Sequence, residues 1–134
     1  MALHVELEAD IHGYADTAKE NCSFGFSFSG KTLNTLTKEA SARLNLAAAA
    51  ADVAYGFQSV TTGKLILIKA EAAVNVKING IGNPAISLAP QTNSSTNVVT
   101  PAFLAIMGDG ITSLHFTNPN ASDAVDVDVA VAGV

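Results

Sequence analysis

Apolar and polar residues alternate with a period of two along most of the chain. Leu3, Val5, Leu7, Ala9 and Ile11 alternate with His4, Glu6, Glu8, Asp10 and His12. Successive side chains leave a strand on opposite sides, so this segment predicts a half-buried strand with one polar face. Phe24, Phe26 and Phe28 alternate with Ser23, Gly25, Ser27 and Ser29 and predict a second strand. The run Leu65-Ile66-Leu67-Ile68, bounded by Gly63-Lys64 and Lys69, predicts a strand covered on both faces. Val74, Val76 and Ile78 alternate with Asn75 and Lys77, and Asn79-Gly80 then predicts a turn. Ile86 and Leu88 follow Pro84, residues 91–100 form a polar Asn/Ser/Thr loop, and residues 103–107 predict a further strand. Gly108-Asp109-Gly110 predicts a tight turn, residues 111–117 a continuing strand, and Asn118-Pro119-Asn120 another turn. Val125, Val127, Val129 and Val131 alternate with Asp126, Asp128 and Ala130 in the last predicted strand.

One segment is ambiguous. The Lys/Glu/Ala content of residues 37–51 favours a helix by propensity. Yet Ala40, Ala42, Leu44 and Leu46 alternate with Ser41, Arg43 and Asn45, which favours a strand over residues 40–47. A short helix or a loop is expected over residues 48–54. Strands and turns at this spacing predict an all-β fold, an antiparallel, jelly-roll-like β-sandwich with at most one short helix. A chain of 134 residues predicts a single domain. Within it, residues 1–12 form a terminal strand able to add to a neighbouring subunit through Leu3, Val5, Leu7 and Ile11.

Composition narrows the function. Apolar residues make up 49% of the chain, enough for a core, and charged residues only 14%, well under the roughly 25% of an average domain. A plain surface of this kind suits a protein that other subunits cover. The net charge of -5 argues against nucleic acid, whose phosphates need a basic patch. Unbroken apolar runs such as residues 46–51 fall far short of the about 18 residues of a membrane span. The first residues lack a basic and an apolar signal region, and a lone cysteine, Cys22, forms no internal disulfide. Synthesis and assembly in a cytoplasm are expected, so the sequons at Asn21, Asn93 and Asn120 carry no weight.

Several motifs could carry chemistry. Gly25-Phe26-Ser27-Phe28-Ser29-Gly30-Lys31-Thr32 fits the phosphate-loop pattern, which needs a buried strand before it and a helix after it. Glu20-Asn21-Cys22-Ser23 makes a poor buried strand, and Phe26 and Phe28 continue an alternation, so a Phe-striped strand ending in a Ser29-Gly30-Lys31 turn is expected instead. Asp126 and Asp128 share one strand face, with Asp123 on the other if the strand reaches it. A calcium ion takes about six to eight oxygens converging from loops, so the two are expected to be surface residues that blunt a sheet edge. Asp109, between two glycines, is expected first as a turn residue. His4 and His12 lie about 27 Å apart along an extended strand, too far to share a metal, and His115 is expected on the surface. No catalytic residue, cofactor or metal is expected. With no Trp and only Tyr14 and Tyr55, the Phe24/Phe26/Phe28 stripe is expected in a core and not as a sugar platform.

The second half of the chain carries a distinctive order of strand phrases. Thr62-Gly63-Lys64-Leu65-Ile66-Leu67-Ile68 is followed by Val74-Asn75-Val76-Lys77-Ile78-Asn79-Gly80. Phe103-Leu104-Ala105-Ile106-Met107 comes next, then Gly110-Ile111-Thr112-Ser113-Leu114-His115-Phe116-Thr117-Asn118. Val125-Asp126-Val127-Asp128-Val129 and a final Ala132-Gly133 close the chain. Over residues 61–134 this resembles small structural proteins of tailed-bacteriophage virions, in particular head decoration (cement) proteins with β-sandwich or jelly-roll folds. The first 60 residues share no such likeness. The resemblance implies a structural virion protein that binds the outside of the capsid and ties major capsid protein subunits together. It also implies self-association, commonly as a homotrimer. Assembly would take place in the host cytoplasm, with no nucleic-acid or membrane partner. No site residue carries over, because the phrases mark strands and turns. The alternative is an adhesion or carbohydrate-binding module of a tail or head fibre, with an exposed aromatic or calcium-bearing loop near residues 91–100 or Asp109.

Overall fold

The computed structural model describes the backbone of Glu6–Tyr14, Cys22–Lys31 and residues 36–134, with side chains from Leu36 onward. The chain divides into two compact units, Met1–Leu36 and Thr37–Val134, where a single sandwich over residues 1–134 was expected. In the first unit, β1 (Glu6–Tyr14) and β2 (Cys22–Lys31) form a two-stranded antiparallel sheet. The expectation for the terminal strand thus finds a partner inside the chain: Leu7 lies opposite Gly30 and Ile11 opposite Phe26. Leu3 and Val5 fall outside the described residues.

The second unit is entirely β. Its strands are β3 (Lys38–Leu46), β4 (Val53–Tyr55), β5 (Gly63–Ala70), β6 (Val74–Ile78), β7 (Ala85–Leu88), β8 (Gln91–Thr92), β9 (Val99–Thr100), β10 (Ala102–Ile111), β11 (Leu114–Thr117) and β12 (Val125–Gly133). Sheet I has the order β10-β5-β12-β3, and sheet II the order β4-β11-β6-β7. With the β8–β9 ribbon set aside, the eight principal strands pair first with last, second with seventh, third with sixth and fourth with fifth. This nesting, laid over two sheets, is the eight-stranded jelly roll.

The core lies between the sheets and follows the alternation. Val125, Val127, Val129 and Val131 of β12 are buried with Ile66 and Ile68 of β5, and face Val74, Val76, Leu114 and Phe116 from sheet II. β5 is a central strand, but it is fully covered on its inner face only, where Ile66 and Ile68 are buried; on the outer face Leu65 is buried, Leu67 half-buried and Lys69 exposed, so the expected cover on both faces is not met. β3 is a strand, as its alternation predicts, and Leu46 opposite Val125 closes its inward face.

Of the short helix or loop expected over residues 48–54, the loop forms: the chain turns, with Ala49 and Asp52 at positive φ, and enters β4. Tertiary hydrogen bonds override the alanine propensity: Ala49 N–H donates to the Asn120 carbonyl (2.7 Å), and Asp52 N–H donates to Thr117 Oγ1 (3.1 Å). One local expectation is corrected: Gly108-Asp109-Gly110 is not a free-standing turn but the irregular end of β10, where the register to β5 shifts between Met107 and Ile111. The reversal comes later, at residues 112–113, because Asn79 fixes it from the next loop. Asn79 Oδ1 accepts from Thr112 N–H (2.8 Å), and its Nδ2 donates to the Gly110 carbonyl (2.9 Å). Asn79 and Gly80 both have positive φ, as the predicted turn requires.

Asn118 is the one buried polar side chain among the described residues. Its Nδ2 donates to the carbonyls of Leu46 (3.3 Å), Ala47 (3.0 Å) and Asp123 (2.8 Å), and its Oδ1 accepts from Asn120 N–H (2.9 Å). It thereby ties the β3–β4 loop to the β11–β12 loop. Asn118→Ala leaves these buried carbonyls without a donor, and is expected to cost about 3 kcal/mol in denaturant unfolding at unchanged strand content. Tyr55 behaves oppositely. Its ring is buried beside Phe57, but its hydroxyl is buried without a partner, and burial pushes its pKa up. Tyr55→Phe removes that stranded group and is expected to raise stability by about 1 kcal/mol, read as a higher Tm by calorimetry.

Candidate binding face

Among the described residues, the chemistry-bearing side chains that the sequence singles out lie apart from one another. The phosphate-loop motif lies along β2, and Gly25 through Lys31 are paired with β1 in regular register. An extended, paired strand cannot curl its amides around a phosphate, so the strand–loop–helix context is absent; Thr32 is outside the described residues. The side chains of His12, Cys22 and the Phe24/Phe26/Phe28 stripe, and all of His4, likewise fall outside what is described. His115 is half-buried on the outer face of sheet II, between Ala54 and Lys77, and its Nδ1 has no partner. Lys77 Nζ is engaged by Asp52 Oδ1 at 2.8 Å. Among the described residues no group of three or more His, Cys, Asp or Glu side chains could hold a metal. No helix among them is long and apolar enough to cross a membrane.

The loop over residues 91–100 is a short ribbon and not an open binding loop. β8 pairs with β9, and Asn93 Oδ1 gathers Ser95 N–H (3.0 Å), Ser95 Oγ (2.7 Å) and Thr96 N–H (3.3 Å). The asparagine thus satisfies the turn internally, and the segment holds no aromatic residue. Asp109 is exposed, with Lys64 Nζ at 3.5 Å. Asp123 sits in the β11–β12 loop and not on β12, where it accepts a hydrogen bond from Asn120 Nδ2 at 3.1 Å.

The surface with a distinctive character is the outer face of sheet I. Alternation that buries Ile66, Ile68 and the β12 valines sends Phe103, Ala105 and Met107 of β10, Leu67 and Lys69 of β5 and Ala130 of β12 outward. Phe103 is 62% exposed and Met107 43%. A shallow concavity of about 320 Å³ lies on this face, with Leu67 and Ala130 on its floor and Ser41, Lys69, Phe103 and Asp128 around it.

The β3 side of the face is charged but internally matched. Arg43 grips Asp128 in a bidentate pair, Nε to Oδ1 at 2.7 Å and Nη2 to Oδ2 at 2.9 Å. Lys69 Nζ stands 3.9 Å from Asp128 and 3.4 Å from Glu71. Asn45 Nδ2 donates to Asp126 Oδ1 at 2.7 Å. Both β12 carboxylates therefore answer to cross-strand partners on β3. The Arg43 hydrogen bond holds the Asp128 carboxyl below its ordinary value, against a smaller opposing effect of desolvation. Asp128 in turn raises the Arg43 pKa still further. The face therefore combines an apolar field with a matched charged border.

No family model, curated protein or solved structure matches this chain.

The Asp128 pair has a pH signature. A carboxyl whose folded-state pKa is lowered adds stability above the unfolded value of about 4, and loses it as pH falls through the folded value. The Tm difference between the wild type and Asp128→Asn is expected to be positive at neutral pH and to shrink towards zero in acid, measured by thermal unfolding across pH.

Proposed function

We propose that this protein is a non-enzymatic structural component of a bacteriophage virion, a decoration or cement protein on the outside of the head. The outer face of sheet I docks on major capsid protein subunits and holds neighbours together. The observation that carries this reading is that face, where Phe103 and Met107 stand exposed beside a border of paired charges. Large apolar side chains in the open mark contact surfaces, and a polar border sets their register on a partner. Two further features support it: the likeness of residues 61–134 to virion structural proteins, and a jelly-roll topology used by many capsid-building domains. Topology is shared by proteins of other functions, lectins among them, so it supports the reading only alongside the surface. A modest contact repeated around a shell stabilises the whole assembly through avidity.

The test is addition of the purified protein to heads assembled without it. It is expected to sediment with the heads and to raise their melting temperature. Phe103→Ser is expected to weaken binding at least about tenfold, the loss of one well-placed aromatic anchor. Protein that stays in the supernatant at saturating concentration overturns the proposal. A glycan array bound by the same preparation would then favour the fibre adhesion module.

A further inference from the structure

Among the described residues the jelly roll has four edge strands, and they are not alike. β4 has three residues and β7 four, too short to template much pairing. β3 carries Lys38, Glu39 and Arg43 along its nine residues, charges that oppose edge-to-edge association. Over its first six residues β10 has neither device; its one charge, Asp109, lies past the register shift. From Ala102 to Met107 it reads Ala-Phe-Leu-Ala-Ile-Met, without a charge or a proline, and among the described residues only β5 pairs with it. Pro101 and the register shift after Met107 bound this flat stretch at its two ends. Natural sheets rarely leave such an edge unguarded unless something pairs with it.

The stretch is also complementary to itself. When two copies of β10 lie antiparallel about a two-fold axis at Ala105, Phe103 stands opposite Met107 of the other copy, and Leu104 opposite Ile106. Ala105 meets its own equivalent at the axis. On the outer face this brings sulfur to aromatic ring, a favourable contact. On the inner face it covers Leu104 and Ile106, which point towards the core yet remain only partly buried, and it does so beside Ile86 of β7, still 38% exposed. No like charges meet anywhere along the seam.

From this edge we infer that the protein forms a two-fold dimer by antiparallel pairing of β10 with β10, joining two copies of sheet I into one eight-stranded sheet. This goes beyond the virion reading and does not depend on it. It also differs from the three-fold association that the sequence resemblance implies.

Light scattering and sedimentation of the full chain decide it. The wild type is expected at twice the 13.7 kDa chain mass at micromolar concentration. Ala105→Lys sets two like charges opposite each other at the axis and is expected to give a monomer with an unchanged circular dichroism spectrum. Register is read independently in a Cys22→Ser background. Directly opposed residues of an antiparallel pair fall within disulfide reach, so Ala105→Cys is expected to cross-link on oxidation. Ser41→Cys, on the far edge strand of the same sheet, is expected not to. If Ala105→Lys does not fold, wild-type mass and the cross-link still decide. A monomeric or trimeric wild type, a dimer untouched by Ala105→Lys, or an Ala105→Cys variant that fails to cross-link overturns the inference.

Discussion

Strand β12 is hydrogen-bonded on both sides, to β3 along one edge and to β5 along the other, and the sandwich depends on that double register. Its valines fill the inner face of sheet I, so a one-residue slip against either neighbour would turn the core outwards and the aspartates inwards. The same register closes the outermost pair of the nested hairpin, within which β4 with β11, β5 with β10 and β6 with β7 are enclosed. The C-terminal end is locked further: Val134 exchanges backbone hydrogen bonds with Thr62, and Thr37 N–H donates to the Gly133 carbonyl. A Cβ on Gly133 would run into the Thr62 carbonyl, which explains a glycine at the point of closest approach.

Asparagines hold the ends of the sandwich together. Asn118 satisfies the carbonyls that β3 leaves behind, Asn79 sets where β10 gives way to β11, and Asn93 closes the small ribbon. Each substitutes a side-chain amide for backbone pairing where strands part, which lets loops from different hairpins meet without burying unpaired groups. The loops are thereby occupied with themselves. Among the described residues, the proposed contact surfaces are the outer face of sheet I and the edge of β10. The two share Phe103 and Met107, so edge pairing would make the face continuous across two copies. On the proposed virion reading, such a protein would act through area and repetition, in keeping with its sparse charge.

Much of this was legible in the residues. Alternation in β12, β6 and the segment that became β3 determined both the strands and their buried faces, because burial on one side of a pleat forces a period of two, whereas the apolar run of β5 determined the strand but not which face is open. The Asn79-Gly80 turn followed from its demand for positive φ. What the sequence could not decide was set by contacts between residues far apart in the chain. Alanines at 48–50 became a turn because Asn118 and Asn120 supply their hydrogen bonds. Gly108-Asp109-Gly110 stayed in a strand because Asn79 placed the reversal elsewhere. Asp126 and Asp128 became half of a cross-strand charge set only once β3 lay beside β12. The exposure of β10 likewise depends on strand order: its composition suits a buried strand as well as an edge, and only the tertiary topology, which ends sheet I at β10, leaves its backbone groups and Phe103 open to a partner.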